Sequence, residues 1–156
     1  MSSLKELEAR ITVVEDIEAI KKLKARYCYS VDARNFDELL RCFAEDATVE
    51  IGPHGKFVGK QEYTRFFTKV FPADCSFTLH HVHDPLIEVN GEKATGKWYF
   101  EVPGTWVSTN EAVWIAGRYE EEYSKKQGEW KFSSIVAYFS YITPFDQGWV
   151  KKKMVI

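Results

Sequence analysis

A chain of 156 residues with a formal net charge of −2, from 21 basic and 23 acidic residues spread along its length, offers no basic surface for nucleic acid or an anionic membrane. A chain of this length can bury about 70% of its unfolded surface as one domain, so a core or a sizeable cavity is expected. Aromatic residues make up 15% of the chain, and a small hydrophobic molecule is the partner that this composition suits.

The three cysteines, Cys28, Cys42 and Cys75, are widely spaced and form no CxxC pair. They indicate neither a disulfide framework nor a thiolate metal site, and a reducing cytoplasm is the expected setting. The first residues, MSSLKELEAR, are too charged for a signal peptide, and nowhere do about 18 apolar residues follow one another. The sequence therefore predicts a cytoplasmic protein without a membrane segment.

Helical periodicity runs from Leu4 to Asp32, where apolar residues recur at steps of three and four. Val13 and Val14, before an acidic pair, suggest a break between a helical arm of residues 1–14 and the main helix. The segment NFDELLRCF predicts a second, short helix. Its apolar residues are Phe36, Leu39, Leu40 and Phe43.

The rest of the chain is predicted to form one more helix and then long strands. The helix is expected from Gly59 to Val70, with Pro72 ending it. Beyond it, Asn90-Gly91 and the segment KKQGE predict two hairpins between long antiparallel strands. Residues 151–156 are expected to be a solvated basic tail.

These elements predict one α+β domain over residues 1–156, with the N-terminal helices packed on the inner face of a strongly bent antiparallel sheet. Strand alternation gives the inward side chains as Trp98, Phe100 and Val102, then Val113, Ile115 and Tyr119, then Ile135, Ala137 and Phe139. The opposite side of the last strand is also largely apolar, through Trp130, Phe132, Val136 and Tyr138. A second subunit is the natural cover for that side, which favours a homo-oligomer.

Three of the four histidines lie in one strand-like stretch, FTLHHVHD. If the stretch is extended, His81 and His83 share one face and His80 lies on the other. A zinc site at His81 and His83 would need further ligands, and no other cluster has metal-like spacing, so no metal is expected. Each of these histidines can also be structural, and we expect that role for His83, near the end of the strand at Asp84.

Asp32 stands at the end of the main helix, where the helix dipole disfavours a carboxylate. A solvated turn residue explains it as well as a functional one. In the functional interpretation the helix brings Asp32 to His80, and the carboxylate fixes the imidazole tautomer and raises its basicity. Tyr27, either a core tyrosine or a hydroxyl donor, would then face the same cavity.

Several segments resemble the SnoaL-like branch of the nuclear transport factor two-like superfamily, and the resemblance extends over nearly the whole chain. The segments are DIEAIKKLKARYCYSVDARNFDELLRCFAEDATVEI, LHHVHDPLIEV, ATGKWYFE and RYEEEYSKKQGEWKFS. They are similar in particular to bacterial bile-acid dehydratases and to hexachlorocyclohexane dehydrochlorinase. The resemblance implies a cone-shaped α+β barrel, commonly trimeric, with a cavity between helices and sheet. In both relatives an Asp–His dyad abstracts a proton during elimination.

Taken position by position, the resemblance places the dyad on Asp32 and His80. It places the catalytic tyrosine of the bile-acid enzyme on Tyr27, where the dehydrochlorinase has lysine. Cavity-lining positions fall on Phe43, Phe100, Ile115, Tyr119 and Phe139. Together with strand alternation this gives the predicted substrate-binding set: Phe43, Trp98, Phe100, Val102, Ile115, Tyr119, Ile135 and Phe139.

The chain also departs from these relatives at four cavity positions. The positions of their final-strand arginines hold Ile135 and Phe139, an acidic cavity residue is replaced by Val102, and a cavity tyrosine by Gly52. Losing a buried guanidinium removes a donor for an anionic group. We therefore expect a less anionic substrate at that place.

The resulting hypothesis is a cofactor-independent lyase of the dehydratase type that acts on a small hydrophobic, cyclic or aromatic molecule. His80 would be the base, Asp32 its partner and Tyr27 a hydroxyl donor, in a homo-oligomer that the resemblance makes a trimer. Two alternatives stay open. One is an isomerase of the ketosteroid type, which the dyad does not distinguish from a lyase. The other is a non-catalytic domain that uses the cone to hold a ligand or partner.

Overall fold

The computed structural model describes residues 3–155, so residues 1, 2 and 156, at the ends of the predicted arm and tail, lie outside it. Helix α1 (Leu4–Asp32) starts with a capping box, in which Ser3 Oγ accepts from the Glu6 amide and the Glu6 carboxylate accepts from the Ser3 amide. The helix is continuous through Val13 and Val14, so the predicted break is wrong. Valine lowers helix propensity only slightly, and two valines do not interrupt the backbone hydrogen bonds.

Short elements follow α1 and complete the N-terminal half. They are helix α2 (Phe36–Arg41), strand β1 (Phe43–Ile51), a 3₁₀ turn (Gly52–His54) and strand β2 (Lys56–Val58). Phe43, predicted to continue the second helix, instead begins β1. The reason is that α2 ends at Arg41 and the amide of Phe132 in the last strand donates to the carbonyl of Cys42, which pairs this part of the chain with the sheet.

The third predicted helix is longer than expected. Helix α3 (Lys60–Arg65) continues as a π-helical turn (Phe66–Val70) and then as helix α4 (Phe71–Asp74). The predicted stop at Pro72 is therefore wrong. Pro72 directly follows the π-helical turn, and the chain keeps helical geometry past it to Asp74.

The C-terminal half supplies five strands and a last helical turn. They are β3 (Cys75–Thr78), β4 (His81–Asn90), β5 (Lys93–Trp106), β6 (Ala112–Lys126), β7 (Glu129–Pro144) and α5 (Gly148–Lys151). The sheet has the order β2-β1-β7-β6-β5-β3, and β4 pairs with β5 as well. Both predicted hairpins are confirmed, with Asn90 opposite Lys93 and Lys126 opposite Glu129.

The sheet is mixed rather than purely antiparallel. Strand β1 pairs in parallel with β7, and the other pairs are antiparallel. The chain enters β1 from α2 at the end of the sheet where β7 also begins, so the two strands run in the same direction. The architecture is otherwise the predicted α+β fold, a strongly bent sheet with α1 on its inner face.

Strand β7 contains a bulge that changes which side chains face inward. Tyr123 pairs with Phe132, whereas the neighbouring Glu122 pairs with Ser134, so one residue of β7 is inserted between them. An inserted residue reverses the alternation. Trp130 and Phe132 therefore lie in the core with Ile135 and Ala137, and the prediction of a strand that is apolar on both sides is wrong for these two residues.

Helix α1 is fixed to the sheet near its middle by a buried aspartate. Asp16 Oδ1 accepts from Lys125 Nζ at 2.7 Å and from Trp130 Nε1 at 2.8 Å. Burial opposes ionisation of Asp16, but the hydrogen bonds from Lys125 and Trp130 outweigh it and lower its pKa. From this anchor the helix reaches across the sheet and places Asp32 near β3 and β4. Across residues 3–155, every helix is too short or too polar to pass through a lipid bilayer.

Lys151, Lys152 and Lys153 are exposed, but the described residues that follow them are attached to the sheet. After α5, Met154 forms a parallel bridge with Ile142, and the Val155 amide donates to the Ile142 carbonyl at 2.9 Å. Val155 packs against the core. The basic run precedes Met154, which keeps 40% of its surface exposed, and Val155, whose partial burial holds the end of the chain against the sheet.

Candidate active site

The stretch around His80 is interrupted rather than one continuous strand. Strand β3 ends at Thr78 and β4 begins at His81, with Leu79 and His80 between them. The Leu79 amide still bonds to the Pro103 carbonyl, but the His80 amide donates to Asp32 Oδ2 at 2.7 Å. The break therefore turns His80 out of the sheet ladder and towards the end of α1.

The Asp32 carboxylate receives three hydrogen bonds from this break. Besides the His80 amide, Thr78 Oγ1 donates to Oδ1 at 2.9 Å and His80 Nδ1 lies 2.6 Å from the same oxygen. Both partners are well covered, with 17% of the Asp32 side chain and 7% of the His80 side chain exposed. Three donors offset the unfavourable position of a carboxylate at a helix C-terminus.

These contacts set the charge state of the pair. Burial would raise the pKa of Asp32, but the ring hydrogen bond and positive charge of His80, its amide and the Thr78 hydroxyl together hold that pKa below its ordinary value. A carboxylate bonded to Nδ1 favours the tautomer in which Nε2 carries the lone pair. The arrangement is chemically suited to accept a proton at Nε2 of His80.

Tyr27 lies about one and a half helical turns before Asp32 and contacts His80 edge to face, with ring centroids 6.3 Å apart. Burial raises the pKa of Tyr27 well above its ordinary value, and the negative charges of Cys28, when ionised, and Glu121 add to the effect. The phenol therefore stays protonated and can donate a hydrogen bond beside the imidazole.

One cavity of about 720 Å³ lies between the helices and the concave side of the sheet. Tyr27 and His80 both line it, and Asp32 lies behind His80. The cavity is lined by these residues of the predicted substrate-binding set: Phe100, Val102, Ile115, Tyr119 and Phe139. Its size and mainly apolar wall suit a small organic molecule.

Three residues of that predicted set do not line the cavity. Phe43 packs between Tyr27 and Tyr63, at centroid distances of 6.0 and 5.1 Å. Trp98 and Ile135 are buried in the packed core, away from the cavity lining. Alternation identifies the inward face of a strand, but it does not tell where along the strand the packed core gives way to the cavity.

Gly52 lies directly against Phe139, a residue of the cavity wall. A Cβ atom at Gly52 would lie 2.5 Å from Cε2 of Phe139, and Gly52 has a φ of +38°. The Phe139 ring thus fills the space that a side chain at position 52 would need. The two departures from the bile-acid and dehydrochlorinase patterns at these positions are sterically linked.

A buried polar network lies behind the cavity residues Tyr27 and Tyr119, and sequence reasoning missed it. Lys24 Nζ forms an ion pair with Glu121, and both side chains are 0% exposed. Glu121 also accepts from the Tyr123 hydroxyl, and Lys24 Nζ lies 3.6 Å from the Tyr119 ring centroid. The signal was present, since Lys24 lies four residues after the core residue Ile20 and Glu121 alternates in phase with Tyr119 and Tyr123.

The cavity mouth holds a second histidine that the sequence did not single out. His54 Nδ1 lies 3.3 Å from Asp74 Oδ2, and both residues line the cavity. Burial lowers the pKa of His54, and the charge of Asp74 only partly restores it. Met154 and Val155 complete the mouth. A single histidine in the turn GPHG belongs to no helical or strand pattern in the sequence. Its position at the cavity mouth follows from the curvature of the sheet, which the sequence pattern does not give.

His81 and His83 are exposed. His83 Nδ1 lies 3.1 Å from Asp84 Oδ2, and β4 passes this point through an irregularity between His83 and Leu86. The predicted strand end at Asp84 is therefore wrong, because the ladder resumes after one misaligned step. Within residues 3–155, no three His, Cys, Asp or Glu side chains come together as a metal-binding group.

The bent sheet with α1 on its concave side has the same fold as a nuclear transport factor 2-like protein from Salmonella enterica, with a TM-score of 0.71 at 18% identity over 83% of this chain and 92% of the other. The sequence pattern of the SnoaL-like domain family matches residues 12–136. The chain belongs to this family.

The relatives whose names state a reaction are only distantly similar to this chain in sequence. Hexachlorocyclohexane dehydrochlorinase 1 of Sphingobium indicum is 27% identical over 127 residues, which are 81% of this chain and 82% of that protein. A solved hexachlorocyclohexane dehydrochlorinase structure superposes with a TM-score of 0.78 at 27% identity, covering 92% of this chain and 93% of the other. A scytalone dehydratase-like protein of Novosphingobium aromaticivorans has a TM-score of 0.77 over 85% of this chain and 89% of its own. At 21% identity that last likeness shows the fold alone.

Proposed function

We propose that the protein is a cofactor-independent lyase of the dehydratase type that acts on a small, uncharged, hydrophobic molecule. The observation that carries the proposal is the 2.6 Å contact between Asp32 Oδ1 and His80 Nδ1, in the wall of a mainly apolar cavity. A protein that only binds an apolar ligand has no need of a carboxylate–imidazole pair at that place. The similarity to dehydrochlorinases, whose name states an elimination, supports the same class.

In the proposed reaction Nε2 of His80 removes a proton from a carbon next to an electron-withdrawing group. Asp32 stabilises the imidazolium that forms. The Tyr27 phenol donates a hydrogen bond to the leaving oxygen or to a developing enolate, where its effect is greatest as negative charge appears. The C–O bond then breaks, a carbon–carbon double bond forms, and the proton held by His80 leaves with the hydroxide as water.

The cavity wall indicates the substrate class. Of the two positions at which the relatives have a final-strand arginine, Phe139 lines the cavity and Ile135 is fully buried. Neither side chain can pair with a carboxylate, phosphate or halide. Phe100, Val102 and Ile115 extend the apolar wall. A cyclic or aromatic hydroxy ketone without a charge matches this surface better than an acid does.

The test is a set of variants assayed on a panel of uncharged cyclic β-hydroxy ketones, with mass spectrometry to follow the loss of water. His80→Ala should abolish turnover, because the base is gone. Asp32→Asn should lower turnover by about 10⁴, as in other His–carboxylate pairs in which the tautomer is lost. With His80 already absent, removing Asp32 should cost almost nothing more, since the two residues act as a unit.

His81→Ala is the matched control, because His81 is the neighbouring histidine but is exposed. It should leave turnover unchanged. If His81→Ala were as damaging as His80→Ala at equal stability, or if the Asp32 and His80 effects were simply additive, the assignment would be wrong. A product that keeps the mass of the substrate would instead identify an isomerase that uses the same base.

A further inference from the structure

The first part of α1 carries an apolar stripe that the described residues leave uncovered. Its members are Leu4, Leu7, Ile11 and Val14, between 48% and 76% exposed. They follow one another at steps of three, four and three, which is the a and d spacing of a coiled coil. We call these four residues the arm stripe.

The domain to which the arm belongs cannot cover the arm stripe. Every buried residue of α1 lies at or after Asp16, on the side that packs against the sheet. At 3.6 residues per turn, the mean direction of the arm stripe is roughly 170° from the mean direction of those buried residues. Since α1 is one continuous helix, the arm stripe faces away from its own sheet.

Most of the arm stripe lies outside the part of the chain that matches the family pattern. The SnoaL-like pattern matches from residue 12, so Leu4, Leu7 and Ile11 precede it. Beyond Val14 the same side of the helix becomes charged, with Lys21 and Glu18 paired at 2.6 Å in solvent. The arm stripe is therefore confined to two heptads that project from the domain.

The charges beside the arm stripe are complementary to those of an identical arm. With Leu4 and Ile11 at a positions, Arg10 falls at g and Glu8 and Glu15 fall at e. In a parallel pair each g residue meets the e residue five positions later in the other helix, so Arg10 would meet Glu15 of the second copy. An antiparallel pair would bring Glu8 against Glu15, which repel each other.

We propose that the arm stripe is an interface with a second copy of this chain, formed by parallel pairing of the two α1 arms. The pairing covers the apolar residues that the domain leaves exposed and joins Arg10 of each copy to Glu15 of the other. Parallel arms require a cyclic assembly with the arms along its rotation axis. The proposal is independent of the reaction proposed for the cavity.

Cysteine cross-linking in the full-length chain tests both the pairing and its direction. In a parallel pair, position 7 of one arm faces position 7 of the other, so Leu7→Cys should form a disulfide-linked dimer under mild oxidation. Ala9→Cys, on the outer side of the same arm, is the matched control and should react at least about ten-fold more slowly. The native cysteines Cys28, Cys42 and Cys75 are buried, so wild-type protein should give little background.

A charge exchange tests the specific contact. Added to Leu7→Cys, Arg10→Glu should slow cross-linking, and a further Glu15→Arg should restore it. Cross-linking of Leu7→Cys no faster than of Ala9→Cys would overturn the proposal, and so would a charge exchange that does not restore the rate. If Leu7→Cys stayed monomeric but the intact chain floated with phosphatidylcholine–phosphatidylglycerol vesicles in a Leu7-dependent way, the occupant would be a lipid surface instead.

Discussion

Removing one partner of the buried ion pair between Lys24 and Glu121 should strongly destabilise the protein. In Lys24→Met the volume is nearly kept, but the Glu121 carboxylate is left in a fully buried place with only the Tyr123 hydroxyl as a donor. Breaking a buried pair in this way costs about 3–5 kcal/mol. For a chain of this length that loss corresponds to a fall in Tm of about 6–20 °C.

The assay is denaturant unfolding followed by tryptophan fluorescence, at one fixed protein concentration because self-association would shift the apparent stability. The matched control is Lys21→Met, in the same helix, whose partner Glu18 and own side chain are 54% and 42% exposed. That variant should change the free energy of unfolding by less than about 1 kcal/mol.

The double variant Lys24→Met with Glu121→Gln measures the interaction energy between the two charges. The amide introduced by Glu121→Gln would keep an acceptor for the Tyr123 hydroxyl and carry no charge, so the double variant should lose less than the sum of the two single losses, by about 2–3 kcal/mol. Additive losses, or a Lys24→Met variant as stable as Lys21→Met, would refute the view that the two charges depend on each other.

Two further predictions concern the cavity. The pKa of Asp32 is held below its ordinary 3.8, so the carboxylate stabilises the fold above that pH and this contribution is lost as the pH falls through the folded pKa. The difference in unfolding free energy between wild type and Asp32→Asn should therefore narrow from about pH 5 downwards. A difference that does not depend on pH in urea unfolding would contradict this. Gly52→Ala should destabilise the protein by about 1–2 kcal/mol, because of the contact with Phe139 and the positive φ. Adding Phe139→Leu should restore part of that stability. Equal thermal stability of Gly52→Ala and wild type would contradict the prediction.

The architecture and the cavity walls were largely predictable because they follow from local patterns. Helical spacing gave α1, and the hairpin signals at Asn90-Gly91 and KKQGE gave the order of the long strands. Inward alternation placed Phe100 and Ile115 correctly on the cavity side. These predictions depend only on neighbouring residues, which is why they survive without knowledge of the tertiary structure.

The wrong predictions fall where the chain departs from the regular side-chain spacing of a strand or a helix. The bulge in β7 moved Trp130 and Phe132 to the inner face, and nothing in the spacing of the apolar residues marks the inserted one. Pro72 does not end the third helix, because a π-helical turn with no sequence signature carries the chain past it. Lys24 was missed because a lysine is rarely fully buried unless its partner is too, and that partner lies 97 residues away.

The fit between Gly52 and Phe139 also limits the order in which this cavity can change into that of a tyrosine-containing relative. A tyrosine at position 52 would enter the volume that the Phe139 ring already fills. A smaller residue at position 139 merely leaves an unfilled space, which a side chain at position 52 can then occupy. The replacement of Phe139 by a smaller residue therefore has to come before the replacement of Gly52 by tyrosine, because the reverse order would pass through a sterically blocked intermediate.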